Sequence, residues 1–409
     1  MQSMTSQSDP VRVLFLENIH PVAVERMRSE GYVVETLGRA LDEDELIAKL
    51  SEGVHLLGIR SKTQVSAAAL AAAPHLRAIG AFCIGTDQID LRSAAESGIA
   101  VFNAPFSNTR SVVELAVAEI IALTRRLTEK NAGMHNGVWD KDAEGSHEVR
   151  GRSIGIVGYG NIGTQLSVLA ENLGLKVYFY DTADKLALGN AQRCATLDEL
   201  LELSDIVTLH VDGRPGNSGF FGEEQFARMR PRSIFLNLSR GFVIDHEALR
   251  KHLENGHLAG AAVDVFPKEP KAKGDEFQSA LRGLPNVILT PHIGGSTEEA
   301  QSDIGSFVAE KLHKYVQEGS TTLSVNLPSL ALQQAPGTHR IALLHHNVPG
   351  VLADVNSILA GHKVNVEGQI LATRGEFGYL LSDIAIDYPA EILAQLSNMA
   401  TTVQLRVLS

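Results

Sequence analysis

The sequence predicts an α/β protein in which two doubly wound parallel sheets precede a small module of βαββαβ order. Three observations predict it. Short continuous apolar runs alternate with amphipathic stretches from residue 11 to about residue 289, the pattern of βαβ units whose sheets are covered on both faces. A glycine-rich turn, Gly158-Tyr-Gly160-Asn-Ile-Gly163, follows one of those runs and opens a helical stretch. Beyond a Pro-, Gln- and Gly-rich break at 328–338 the rhythm changes to strand, helix, strand, strand, helix, strand, the ferredoxin-like order.

The elements follow in order. After nine loose polar residues, 11–16 reads as a strand and 21–30 as a helix stopped by Gly31; 54–60, 76–80 and 99–103 read as buried strands. SVVELAVAEIIALTRR, 111–126, is a long and largely apolar helix suited to crossing between domains. A second strand series begins at Ser153: SIGIVG, KVYFYD, DIVTLHV, SIFLNLS, AGAAVDVF and NVILTPH, closed by a helix over 298–317. In the last module, strands are expected at 340–345, 364–372, 378–386 and 403–408, with helices at 350–360 and 390–399.

Composition bounds the function. A chain of 409 residues suits two or three domains, and 44% hydrophobic with 21% charged residues is globular. Against 36 Lys and Arg stand 48 Asp and Glu, a net charge of −12, which argues against a general binder of nucleic acid or anionic membrane. Two cysteines, Cys83 and Cys194, with no C-x-x-C, give no disulfide framework and no metal site. The polar start shows no signal peptide, and no apolar run approaches the ~18 residues of a membrane span. A cytoplasmic protein is expected.

The glycine turn defines a dinucleotide site. Gly158 permits the tight turn, Gly160 lets backbone approach a pyrophosphate, and Gly163 allows the helix to pack closely with its positive end toward the anion. The next strand ends in Asp181, placed to accept from the adenosine ribose hydroxyls. With no Arg in the three residues that follow, NAD is expected over NADP.

The reaction must come from other groups. In Asn237-Leu-Ser-Arg240-Gly, Arg240 comes just after an apolar strand, Glu269 follows Val263-Asp-Val-Phe-Pro-Lys, and His292 follows Leu289-Thr-Pro. Arg, Glu and His at successive strand ends form a set for 2-oxo/2-hydroxy acid chemistry. Arg240 forks onto a carboxylate, His292 moves a proton at the C2 oxygen, Glu269 orients the imidazole, and the nicotinamide carries the hydride. Arg60-Ser61-Lys62 and Asn108-Thr109-Arg110, at a strand end and a helix start, offer further cations for a phosphorylated substrate. In the last module His345-His346-Asn347 and Asn365 offer donors and acceptors near a helix start, suited to an amino acid's ammonium and carboxylate.

GYGNIG, NLSRG, AVDVFPKEP and LTPHIGGST resemble the D-isomer-specific 2-hydroxyacid dehydrogenase family, and FCIGTDQIDL, VFNAPFSNTRSVVELAVAEI and the final module extend the resemblance over essentially the whole chain. It is greatest to members with a C-terminal ACT domain that oxidise 3-phosphoglycerate with NAD. The resemblance implies a flavodoxin-like substrate lobe of 9–106 and 298–327, a Rossmann NAD lobe of 107–297, a linker of 328–338 and an ACT-like domain of 339–409. It places catalysis on Arg240, Glu269 and His292. Cofactor contacts fall on Asn161, Ile162, Asp181, His210, Leu238, Ser239, Arg240, Asp264, His292, Ile293, Gly294 and Gly295, beside the three glycines. Substrate contacts fall on Arg60, Ser61, Asn108, Arg110, Lys141 and Arg240. It implies L-serine as effector at His345, Asn347 and Asn365, a homotetramer, and 2-oxoglutarate as a further substrate. A glyoxylate or hydroxypyruvate reductase, and a non-catalytic NAD-sensing co-regulator, are the alternatives.

Overall fold

A computed structural model describes residues 10–270 and 274–408; the loose start expected for the first nine residues lies outside them. The chain packs as two compact units, one of the residues up to Pro105 together with Gln301 onward, the other of Phe106–Ala300. Among the described residues no helix is long and apolar enough to cross a membrane.

The first unit opens with five parallel strands: β1 (Arg12–Leu16), β2 (Val33–Leu37), β3 (Leu56–Ile59), β4 (Ala78–Ala81) and β5 (Ala100–Phe102). Their order, β2-β1-β3-β4-β5, is that of the flavodoxin-like sheet. The continuous apolar runs are wholly buried strands, the central β3 and β4 and the edge strand β5. β2 lacks such a run, and no strand was expected there. As an edge strand it is exposed or half-buried throughout, so it carries Glu35 and Thr36 where a central strand carries aliphatics. Helix Glu298–Glu318 returns to this unit, with Ile304, Val308, Leu312 and Tyr315 buried against Phe15, Phe82 and Phe102.

The second unit holds seven parallel strands: β6 (Ser153–Val157), β7 (Lys176–Tyr180), β8 (Gln192–Arg193), β9 (Ile206–Leu209), β10 (Ser233–Asn237), β11 (Leu258–Val263) and β12 (Val287–Leu289). The order β12-β11-β10-β9-β6-β7-β8 is the Rossmann arrangement with one added strand. The two-residue edge strand β8 had no signal in the sequence. The long apolar helix is Thr109–Thr124, with Val112, Val113, Ala116, Ile120 and Leu123 on its buried side. It stops at Arg126, whose φ of 51° is left-handed, and a second helix, Leu127–His135, follows where none was expected.

The last four strands are antiparallel: β13 (Thr338–His346), β14 (Val366–Arg374), β15 (Phe377–Ala385) and β16 (Thr402–Leu408), ordered β14-β15-β13-β16, with helices Val351–Gly361 and Glu391–Ser397. This is the ferredoxin-like topology. A wholly buried ion pair joins β13 to β15: Arg340 Nε and Nη2 donate to the two Asp383 carboxylate oxygens at 2.7 and 2.8 Å. Arg340 Nη1 also donates to Glu318 O, and Tyr379 Oη to Gly319 O, at 2.9 and 2.8 Å, so the module is tied to the end of helix Glu298–Glu318. The Pro/Gln break is irregular but not a free tether. Leu330 is buried, its N–H reaches Thr321 Oγ1, and Ala335 N–H donates to Asp383.

Candidate active site

The second unit brings Glu269 and His292 into contact. His292 Nδ1 lies 3.0 and 2.9 Å from the two Glu269 oxygens, and Phe266 N–H donates to Glu269 Oε1 at 3.2 Å. The carboxylate selects the tautomer with its proton on Nδ1, leaving Nε2 for a substrate. The Glu269 hydrogen bond raises the His292 pKa above its ordinary value against the opposing effect of burial. For Glu269, burial pushes upward, but the bond and charge of His292, the Phe266 N–H and the Arg240 charge outweigh it and hold the carboxyl low.

The third member of the set, Arg240, ends the loop after β10. Asn237 braces that loop: its Nδ2 donates to Arg240 O at 3.0 Å, while its Oδ1 accepts from Ser239 N–H and Oγ at 3.1 and 2.7 Å. The next residue must be glycine, because a Cβ on Gly241 would stand 2.0 Å from the Phe266 carbonyl carbon. That approach sets the Arg240 loop directly against the one carrying Glu269. Arg240 is near enough for its charge to lower the proton affinity of both Glu269 and His292.

His292 has a φ of 55°, a costly conformation for a residue with a Cβ. Asp264 holds it there. This side chain, 1% exposed, accepts from Thr290 Oγ1 at 2.6 Å, Ile293 N–H at 2.8 Å and Gly294 N–H at 2.8 Å, on both sides of the histidine. Asp264 is expected among the cofactor contacts, and its carboxylate also braces this loop. Near it lies Glu119, 3% exposed, neither of whose oxygens has a hydrogen-bond partner among the described residues. Burial, then the Asp264 charge, pushes its pKa to about 8. Within an apolar helix, Glu119 carried no signal in the sequence.

The glycine turn fits a dinucleotide. Gly158 has a φ of 92°, and a Cβ there would stand 2.6 Å from His210 O. Gly160 faces open space just before helix Asn161–Asn172, whose first turn has no side-chain cap. Asp181 is fixed by Tyr159 N–H and Ala183 N–H, both at 2.8 Å. His210 bonds Thr208 Oγ1 at 2.9 Å through Nε2, while its Nδ1 is buried without a partner; burial lowers its pKa to about 4. Leu238, Ser239 and Gly294 are buried, while Ile293 is exposed. One cation was missed: Arg214 pairs with Asp212 at 2.5 Å and also feels the Asp181 charge.

The expected substrate residues divide. Asn108 is in this unit, its Oδ1 buried without a partner among the described residues, and a Cβ on Gly295 would meet its Nδ2. Arg110 is exposed and pairs with Glu114 at 2.6 Å across one helix turn, a solvent-screened contact that leaves its guanidinium accessible. Lys141 is exposed. Arg60 and Ser61 lie in the first unit, in a segment that Glu17 fixes by accepting from Lys62 and Thr63 N–H at 3.0 and 2.8 Å. In the last module His345 is only 2% exposed, with Nδ1 on His346 O and Nε2 unpartnered; Asn347 and Asn365 present exposed side chains. Among the described residues no group of three or more His, Cys, Asp or Glu could hold a metal ion.

A parallel sheet with this turn at its switch point, and Arg, Glu and His at successive strand ends, defines an NAD-dependent 2-hydroxyacid dehydrogenase. The chain belongs to the D-isomer-specific 2-hydroxyacid dehydrogenase family, whose NAD-binding domain it matches over residues 117–294; residues 341–404 match the ACT domain of acetohydroxyacid synthase small-subunit type. It is 46% identical over 400 residues to D-3-phosphoglycerate dehydrogenase of Dictyostelium discoideum, covering 98% of each chain. The enzyme of that name from Escherichia coli K12 is 47% identical over 388 residues, 95% of this chain and 94% of that one. Among solved structures, the TT0316 protein of Thermus thermophilus superposes with a TM-score of 0.68 at 30% identity, over 74% of this chain and 96% of that one.

Proposed function

We propose that this protein oxidises 3-phospho-D-glycerate to 3-phosphohydroxypyruvate with NAD, the opening step of L-serine biosynthesis. The observation that carries the reading is the 46% identity to a curated D-3-phosphoglycerate dehydrogenase over 98% of both chains, final module included. In this reading Arg240 holds the C1 carboxylate and fixes which face of C2 is presented. Neutral His292 takes the C2 hydroxyl proton on Nε2, and Glu269 stabilises the imidazolium that forms. NAD, when bound, accepts the hydride that leaves C2. Gly158, Gly160, Gly163 and the first turn of helix Asn161–Asn172 hold its pyrophosphate, Asp181 its ribose, and His210, Leu238, Ser239 and 293–295 its nicotinamide end. Asp264 acts by holding the His292 loop. Arg60, Ser61, Asn108, Arg110 and Lys141 complete the substrate set.

The same reading divides the chain into a substrate-binding domain of 9–106 and 298–327, an NAD-binding domain of 107–297, a linker of 328–338 and a regulatory domain of 339–409. L-serine binds the last at His345, Asn347 and Asn365 in a cytoplasmic homotetramer, and acts through its differential affinity for two states of the enzyme. The test is NADH formation with 3-phosphoglycerate and with glycerate, which lacks the phosphate. A kcat/KM at least about a hundredfold higher for 3-phosphoglycerate supports the reading. Equal values assign the enzyme to unphosphorylated hydroxy acids instead.

A further inference from the structure

Where β16 lies against the segments that enter β3 and β4, basic side chains gather around a pocket of about 210 Å3, lined by His55, His75, Arg77, Gln404 and Arg406 among others. The Arg406 guanidinium lies 4.3 Å from the Tyr315 ring centroid, and its Nη2 donates to Tyr315 O and Val316 O at 3.1 and 3.2 Å. Its Nη1 is buried and meets no acceptor among the described residues. Arg77 is half-buried, and no carboxylate pairs with it or with Arg406 among the described residues. Burial, and then the Arg406 charge, lowers the proton affinity of Arg77.

This arrangement runs against the rest of the chain, which carries 48 acidic residues and a net charge of −12. Two guanidinium groups brought together without a carboxylate repel each other, and half-burial strengthens the repulsion. An anion between them reverses the sign. Arginine forks, with imidazole and amide donors beside them, suit the several acceptor oxygens of a phosphoryl group better than a single carboxylate. We propose that this pocket binds a phosphate-class dianion, either orthophosphate or the phosphoryl group of a small phosphomonoester, held between Arg77 and Arg406 with His75 and Gln404 beside them. Gln404 and Arg406 belong to the βαββαβ module and His55, His75 and Arg77 to the parallel-sheet part, so the bound dianion ties the two together.

The test is equilibrium dialysis of radiolabelled orthophosphate against full-length wild type, Arg77→Gln and His75→Gln. Comparison between proteins removes any phosphate held elsewhere. Wild type is expected to bind one phosphate per chain at least about tenfold more tightly than Arg77→Gln, with His75→Gln intermediate and NADH-forming activity unchanged in both. His75 is exposed on the rim, so His75→Gln tests the site even where Arg77→Gln fails to fold. Glycerol phosphate that displaces the Arg77-dependent label identifies phosphomonoesters as occupants; label that resists it but yields to unlabelled orthophosphate identifies the free ion. Equal affinity and stoichiometry in wild type and the folded variants would overturn the proposal.

Discussion

Asp264→Asn is the sharpest probe of how the fold holds its reactive histidine. The wild-type carboxylate accepts from Thr290 Oγ1 and Ile293 N–H on one oxygen and from Gly294 N–H on the other. Asparagine can keep the first two bonds, but its amide NH2 then faces the Gly294 N–H, donor against donor. One charge-assisted bond in a buried site contributes about 1.5–3 kcal/mol. If that restraint on the loop is fully expressed at the transition state, kcat/KM falls about 10- to 150-fold, at about 1.4 kcal/mol per decade. Asp264→Ala, which leaves all three donors unmet, should lose more. The His292 φ of 55° gives the released loop a reason to relax. Steady-state kinetics at saturating NAD separates this from weaker cofactor binding. Wild-type kcat in a correctly folded Asp264→Asn protein would show that the carboxylate does not position His292.

Glu269→Gln removes the chief cause of the raised His292 pKa; of what remains, burial, the largest, and the Arg240 charge lower it, and only the Asp264 charge raises it. Oxidation needs the neutral ring and rises with pH through that pKa, while reduction needs the charged ring and falls through it. Both limbs should therefore move to lower pH in the variant, and unmoved pH–rate profiles would detach Glu269 from His292. Asp181→Ser should erode the preference for NAD over NADP by about tenfold or more, through loss of the ribose hydrogen bond and of the repulsion of a 2′-phosphate near Arg214; competing kcat/KM values for the two cofactors decide it. Asp383→Asn leaves the buried Arg340 guanidinium without its counter-charge and should cost about 3–5 kcal/mol in urea unfolding of the module. A loss below about 1 kcal/mol would mean the pair is dispensable.

Both parallel sheets were legible because their inner strands are covered on two faces, which forces near-continuous aliphatic runs such as Leu56–Ile59 and Ser153–Val157. Two edge strands escape that constraint: Val33–Leu37 is exposed or half-buried throughout and Gln192–Arg193 is two residues long, so neither left a pattern, whereas the edge strand Ala100–Phe102 is wholly buried and did. At the site, the ends of strands announced Arg240, Glu269 and His292, since loops there carry polar residues that the core does not need. The supports were less visible. Beyond the cofactor contact expected of Asp264, its bracing of the loop shows only in the hydrogen bonds. Glu119 lies in a helix whose apolar pattern gives no hint that one carboxyl is buried beside Asp264. Arg214 is 33 residues along the chain from Asp181, so a search of the residues just after Asp181 could not find it. The Glu114 partner of Arg110, one turn on, was not read from the sequence either.

The central claim is that Arg240 and the Glu269–His292 pair carry out the oxidation of 3-phosphoglycerate. The most direct measurement compares wild type, His292→Ala and Arg240→Ala for NADH consumption with 3-phosphohydroxypyruvate, alongside NADH binding by fluorescence titration. The account predicts that each substitution lowers kcat/KM at least about a hundredfold, with NADH affinity held in His292→Ala. Near-wild-type turnover in either folded variant, or no turnover of 3-phosphohydroxypyruvate by the wild type, would contradict it.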